Sequence, residues 1–286
     1  MIALDREWLA ANPLPQPGAD TDKNKRGRVL AAGGSATVPG ALLLTGEAAF
    51  RAGAGKVQLV SPSPAAIGLK MPEAAVFEAR LNEAGELSTD TGATIARMLD
   101  RCDACVIGPG MGKDADAGAI LDAVLAHPRD DLALVLDAAM IPEAGKREAA
   151  VRGWQGRLIL TPHPGEMAAL MDCDEQDASP ELAERAAERF DATIVLKTAE
   201  TWIAQQGEPT LHFAGGGPGL ATGGSGDVLA GGIAGLLARG AAPRIAAAWG
   251  VWLHGEAGRR LTERIGPLGF LGRELPGEIP MLMAEF

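Results

Sequence analysis

The chain has 286 residues, 47% of them hydrophobic and 22% charged, with a formal net charge of -11. This balance excludes a basic nucleic-acid face, which must replace phosphate counterions, and the length suits one large α/β domain with a substantial core. No run approaches the roughly 18 to 20 apolar residues that span a bilayer, and the N-terminus MIALDREWLAANPLPQPGAD lacks a basic segment followed by an apolar one, so a cytoplasmic protein is expected.

Six short apolar runs recur along the chain: RVLAA, VQLV, ACVI, ALVL, LIL and TIVL. Each stops at glycine, proline or a polar residue, and helical stretches such as PGALLLTGEAAFRA and AGAILDAVLA lie between most of them. Continuous apolar strands alternating with helices predict a mostly parallel sheet covered on both faces, an α/β class. Ser179 before Pro180 reads as the cap and first position of a surface helix, PELAERAAERF. After TIVLK come two short strands, TWIA and TLHF, around a turn at Gln206 and Gly207. A long helix, RIAAAWGVWLHGEAGRRLTERI, follows Pro243, where His254 and Glu256 read as helix polar residues and Trp249 with Trp252 as core or interface packing. Without an internal repeat or composition shift, residues 1–286 read as a single domain.

Three cysteines, Cys102, Cys105 and Cys173, cannot all pair, which fits a reducing compartment. Cys102 and Cys105 form a C-x-x-C spacing, but Cys105 opens an apolar strand and no second pair completes a zinc site, so both read as buried thiols.

The polar residues gather where the strands end, which is where open α/β sheets bind ligands. AAGGSATVPG lacks the dinucleotide G-x-G-x-x-G, and GAGKV lacks the remainder of a P-loop. What remains is a distributed set. GPGMG, residues 108 to 112, lets backbone approach a ligand closely; TPHPGE, residues 161 to 166, fixes His163 between two prolines. KTAET sets Lys197 at a strand end, either as a solvated surface lysine or within reach of a phosphate, and Asp137 closes another strand, where it could help hold Mg²⁺ through water. ATGGSGDVLAGG, residues 221 to 232, opens a helix with glycines that cover almost none of its first N–H groups. Bare N–H groups backed by the helix dipole form a receptor for phosphate; a tight turn capped by Ser225 or Asp227 is the plainer alternative.

Taken together, GRVLAAGGSATVPGA, VIGPGMG, LTPHPGE, LK-x-x-x-T and GGPGLATGGSGDVLAGGIAGLLARG closely resemble the ADP-dependent NAD(P)H-hydrate dehydratases of the ribokinase-like superfamily, in order from about Arg28 to about Gly258. The resemblance implies a ribokinase-like three-layer α/β/α sandwich with no fused epimerase domain. It implies a metabolite-repair lyase that dehydrates the S form of NADH or NADPH hydrate, with ADP as phosphoryl donor and Mg²⁺ as cofactor. Carried over by residue, the substrate site would include Ala41, Gly110 or Gly112, His163 and Asp227. The nucleotide site would include Lys197, Thr198, Ala199, Glu200, Thr201, Gly223, Gly224, Ser225 and Gly226, with the backbone N–H groups of GGSG on the phosphoryl group. Asp227, ionised by the helix dipole, would accept the substrate's hydroxyl proton. Metal ligands are not assigned. The family commonly forms homo-oligomers, the tetramer included, and the Trp-bearing helix could serve such an interface.

This chain departs from the family pattern at Gly217, where Asn is expected, at Ala139, where a second Asp is expected, and at Thr198, where Gly is expected. The alternative within the same fold is an ATP-dependent small-molecule kinase of the hydroxymethylpyrimidine or hydroxyethylthiazole type, in which Asp227 has the same role and the phosphate stays on the product.

Overall fold

The computed structural model describes residues 1–18 and 20–286. Among them, ten strands form one sheet: β1 (Ile2–Ala3), β2 (Arg28–Ala32), β3 (Lys56–Ser61), β4 (Ala75–Glu78), β5 (Ala104–Ile107), β6 (Ala133–Leu136), β7 (Leu158–Leu160), β8 (Thr193–Lys197), β9 (Thr201–Ala204) and β10 (Leu211–Phe213). Their spatial order is β1-β10-β9-β8-β7-β6-β5-β2-β3-β4. β9 runs antiparallel to both β8 and β10, and every other pairing is parallel.

Side chains alternate across each strand, and the two faces carry separate cores. Val29, Ala31, Val57, Leu59, Val106, Val135, Ile159 and Val195 face the helices Ala41–Arg51, Ser225–Ala238 and Pro243–Arg264. Leu30, Ala32, Val60, Cys105, Ile107, Leu134, Leu136 and Leu196 face the helices Ala117–Leu125, Met140–Gly145, Pro164–Met171 and Pro180–Phe190. Because both faces are covered, the central strands β5, β6 and β7 are apolar throughout, and the result is the three-layer sandwich expected. Ser179 caps its helix as read, its Oγ accepting from the Leu182 N–H at 3.1 Å. Trp249 and Trp252 are both buried, packed edge-on against each other and against Phe286. These two side chains are core. Cys102 and Cys105 are buried free thiols, their acidity suppressed by burial.

Two features of this frame place the site. The chain runs outward from β2 to β3 and β4, then returns to pair β5 against β2 and proceeds the other way, so β2 and β5 flank the point where strand order reverses. Crevices form beyond the carboxyl ends of such strands. The helix Ser225–Ala238 packs directly on Ala41–Arg51 through glycines: a Cβ on Gly231 would stand 2.2 Å from the Thr45 carbonyl oxygen, and one on Gly235 2.6 Å from that of Ala49. This contact of backbone on backbone sets the start of one helix beside the start of the other.

No helix among the described residues is long and apolar enough to cross a membrane.

Candidate active site

Four strand ends and one helix start deliver the polar residues to a single crevice. Beyond β5, the GPGMG loop folds onto its neighbours: the Gly34 N–H donates to the Pro109 carbonyl at 2.7 Å. Gly108 lies so close to β6 that a Cβ there would meet the Asp137 carbonyl oxygen at 1.9 Å. Gly110, at φ +70, packs on Ala41, with only 2.4 Å between a Cβ built on it and the Ala41 Cβ. Ala41 is itself buried, and shapes the crevice from beneath. The structure separates the two loop glycines: Gly110 faces Ala41 and Asp227, whereas the Gly112 N–H is held by Glu86 Oε2 at 2.8 Å.

Beyond β6, Asp137 is almost fully buried at 4% exposure. Its Oδ1 accepts from Thr161 Oγ1 at 2.6 Å and from Lys197 Nζ at 3.1 Å, so the ends of β6, β7 and β8 are tied through one carboxylate oxygen. Ala138, the next residue, holds φ 48, a left-handed conformation costly for a side chain with a Cβ. Beyond β7, His163 caps the helix Pro164–Met171: Nδ1 accepts from the Gly165 N–H at 3.0 Å, and Glu166 Oε2 accepts from the His163 N–H at 2.9 Å. The ring stays largely exposed.

The helix Ser225–Ala238 begins as the sequence suggested, with Gly224 at its cap position and no side-chain cap. Gly224 holds φ +87, and a Cβ there would meet Leu44 Cδ1 at 2.3 Å, so only glycine fits. One detail differs from expectation. The Ser225 N–H is committed to the Thr222 carbonyl at 3.2 Å, so it is not a free donor. Among the described residues, the N–H groups of Gly226 and Asp227 find no acceptor and remain available. Lys197 reaches the same place, its Nζ 3.8 Å from where a Gly226 Cβ would stand.

The charges in this crevice shift one another. Burial pushes the Asp227 carboxyl up to about 6, with Asp137 adding to the rise against the pull of Lys197 and the Gly110 N–H. The expected ionised form still dominates at neutral pH, but desolvation outweighs the dipole, and the group becomes a stronger base. Burial also raises Glu166, opposed by Lys197 and the His163 N–H. For Lys197, burial alone would lower the ammonium, but Asp137, Glu166 and Asp227 together hold it above the usual lysine value.

Other sequence-selected residues lie at the edge. Thr198 and Glu200 close the turn between β8 and β9, with Thr198 Oγ1 donating to the Glu200 carbonyl at 2.8 Å. The Glu200 carboxylate turns to His212 Nε2 at 2.6 Å. Ala199 is exposed in that turn, and Thr201 opens β9 opposite Lys197. Gly223 is exposed, with open space where a Cβ would stand. Two residues escaped the sequence reading. Glu166, within TPHPGE, carries only one sequence signal, its i, i+3 spacing from His163. His254, set aside as a helix polar residue, places its Nε2 2.9 Å from Ser225 Oγ.

A family model described as NAD(P)H-hydrate dehydratase matches residues 29–280. The chain belongs to this family. It is 44% identical, over 96% of its length and 93% of the relative's, to an ADP-dependent (S)-NAD(P)H-hydrate dehydratase of Xanthomonas campestris pv. campestris. It is also 36% identical over 98% of its length to a bifunctional NAD(P)H-hydrate repair enzyme of Moorella thermoacetica, of which it spans 53%. Among solved structures, the ADP/ATP-dependent NAD(P)H-hydrate dehydratase of Bacillus subtilis, co-crystallised with ATP/Mg²⁺, superposes with a TM-score of 0.81 at 27% identity, covering 99% of this chain and 98% of that one. The names of these relatives agree with the activity that the resemblance of the sequence motifs implied.

Proposed function

We propose that the chain restores NADH and NADPH from the S form of their hydrates, using ADP and releasing AMP and phosphate. The observation that carries this reading is the position of Asp227. Its carboxyl, raised to about 6, stands between the Gly110–Ala41 wall and a bare helix start flanked by Lys197. That arrangement provides a proton acceptor on one side and a phosphate seat on the other.

The chemistry needs both. In the hydrate, a hydroxyl occupies C6 of the nicotinamide ring, and hydroxide is a poor leaving group. Transfer of the β-phosphoryl group of ADP to that oxygen forms the O–P bond, breaks the bond to AMP and sends the hydroxyl proton to Asp227. Phosphate then departs with the C6–O electrons, pushed by the ring nitrogen lone pair, and transfer of the C5 proton to water restores the C5–C6 double bond. Phosphoryl transfer of this kind has a loose transition state, so positioning and charge stabilisation carry the catalysis. The free N–H groups of Gly226 and Asp227, the helix dipole and the Lys197 ammonium would supply that charge. The plain helix-cap reading of Asp227 does not account for a carboxyl that takes its hydrogen bond from Gly110, in the loop beyond β5.

The residues also suit Mg²⁺ carried on the nucleotide. No cluster of three or more His, Cys, Asp or Glu side chains among the described residues is arranged to cage a metal. Mg²⁺ characteristically takes one or two carboxylates and keeps phosphate oxygens and water. Asp137 Oδ2, which among the described residues accepts no hydrogen bond, would face such a water shell, while Oδ1 stays with Thr161 and Lys197. Bound there, Mg²⁺ would neutralise diphosphate charge.

The 44% identity to an ADP-dependent dehydratase favours this reading over a kinase that keeps phosphate on its product. Hydrated NADH supplied with ADP or ATP at matched Mg²⁺ tests it. Recovery of dihydronicotinamide absorbance, faster with ADP, is expected. ATP-dependent phosphorylation of another alcohol, without recovery, would favour the kinase.

A further inference from the structure

The mechanism above leaves His254 unused, although it joins the phosphate loop to the helix Pro243–Arg264. Its Nε2 lies 2.9 Å from Ser225 Oγ and 3.0 Å from the Ser225 carbonyl oxygen. A carbonyl oxygen can only accept, so Nε2 carries the hydrogen. Burial, reinforced by the nearby Lys197 charge and opposed by the Ser225 backbone contact, holds the imidazole neutral by lowering its pKa to about 4, and the contact with the Ser225 carbonyl selects the Nε2–H tautomer. The one Nε2 hydrogen is shared between the Ser225 carbonyl and Oγ, and a protonated Nε2 offers the hydroxyl no lone pair, so the hydroxyl hydrogen turns away from His254. Ser225 is itself buried. Its backbone N–H is spent on Thr222, so the hydroxyl is the donor this residue has left for a ligand beside the free N–H groups of Gly226 and Asp227.

We propose that His254 is a positioning residue for nucleotide binding: it orients the Ser225 hydroxyl as a hydrogen-bond donor to the phosphate seated at the start of the helix Ser225–Ala238. This inference rests on the reading of that helix start as the phosphate seat. It adds a side-chain donor, held from behind by a neutral imidazole, to a loop otherwise made of backbone.

The test measures ADP dissociation constants by calorimetry, with KM for both substrates, on His254→Leu, His254→Gln, Ser225→Ala and the double variant His254→Leu/Ser225→Ala. Glutamine places an amide N–H near the position of Nε2, whereas leucine removes the donor. Loss of one hydrogen bond to a charged group predicts about tenfold weaker ADP binding, or more, in His254→Leu and in Ser225→Ala. KM for the hydrate should stay near its original value, His254→Gln should recover most of the loss, and the double variant should be no worse than either single one. Unchanged ADP affinity in Ser225→Ala, additive losses in the double variant, or equal damage to both substrates in His254→Leu would each overturn the proposal. Failure of the underlying reading has a different signature: Lys197→Ala would then also bind ADP normally.

Discussion

Lys197 Nζ donates to Asp137 Oδ1 at 3.1 Å, and the aspartate it pairs with is 4% exposed. The lysine that the sequence offered as a phosphate contact is therefore also the counter-charge of a buried carboxylate. One residue serves the fold and the ligand together, and its removal should show in both.

Lys197→Ala should weaken ADP binding by roughly 1.5 to 3 kcal/mol, the usual worth of a charge-assisted contact. It should also lower the melting temperature, because an unpaired buried charge is strongly destabilising. Calorimetry and thermal unfolding on the one variant check both. Replacing Asp137 by Asn in the same chain should recover part of the stability and none of the ADP affinity.

Gly110→Ala combines a strained φ of +70 with a Cβ 2.4 Å from that of Ala41. The expected result is a loss of about 1 to 3 kcal/mol in stability, typical of overpacking, and a raised KM for the hydrate with ADP affinity little changed. Denaturant unfolding and steady-state kinetics measure the two effects. An equal change in both substrates would mean that the loop shapes the whole crevice.

Ala138 holds its left-handed backbone at the turn after β6, beside Asp137. Ala138→Gly removes the Cβ penalty but frees the unfolded chain, so a net gain of about 1 kcal/mol or less is expected. Chemical denaturation reads it directly, and a loss of more than that would show that the alanine methyl makes a contact worth more than the strain.

Much of this arrangement was legible in the sequence, for physical reasons. The runs RVLAA, ACVI, ALVL and LIL coincide with β2, β5, β6 and β7, and TWIA with β9, because strands buried on both faces must be apolar throughout. β1 and β4 were missed: one spans two residues, and the other is an exposed edge whose short sequence carries no such signal. Within the site, Asp227 and Lys197 stood out because glycines and a strand end flank them. His254 gave no comparable signal, since its partner Ser225 lies 29 residues away and only the packing of two helices joins them. The raised pKa of Asp227 is not legible in the sequence because the dipole can be read from a helix start, whereas burial and the Asp137 charge come from other parts of the fold. The departure at Gly217 has a local account: its φ of 76 and ψ of 170 lie in a region essentially confined to glycine, so Asn would be strained in this backbone.

The shifted carboxyl of Asp227 makes a pH prediction with a definite sign. Its folded-state pKa of about 6 lies above the ordinary 3.8, so the fold favours the protonated form. As a proton acceptor it works only when ionised, and turnover should fall about tenfold per unit below a pH of about 6. Stability runs the other way. The cost of ionising Asp227 in the fold is absent below 3.8, grows as pH rises towards 6 and is complete above it. Asp227→Asn should therefore be more stable than the parent at neutral pH by ~1–3 kcal/mol, the gain vanishing near a pH of about 4. Denaturant titrations at the two pH values check it, and a rate profile flat down to a pH of about 5 would assign the proton to another group.

The same substitution tests the central claim most directly when turnover is measured with hydrated NADH, ADP and Mg²⁺. Asn keeps the shape of the side chain and its capacity to cap a helix while removing charge and basicity. If Asp227 accepts the hydroxyl proton, kcat should drop by roughly 10²- to 10⁴-fold, with ADP still bound and the melting temperature equal or higher. A folded Asp227→Asn variant that turns over the hydrate at a near-normal rate would contradict the account.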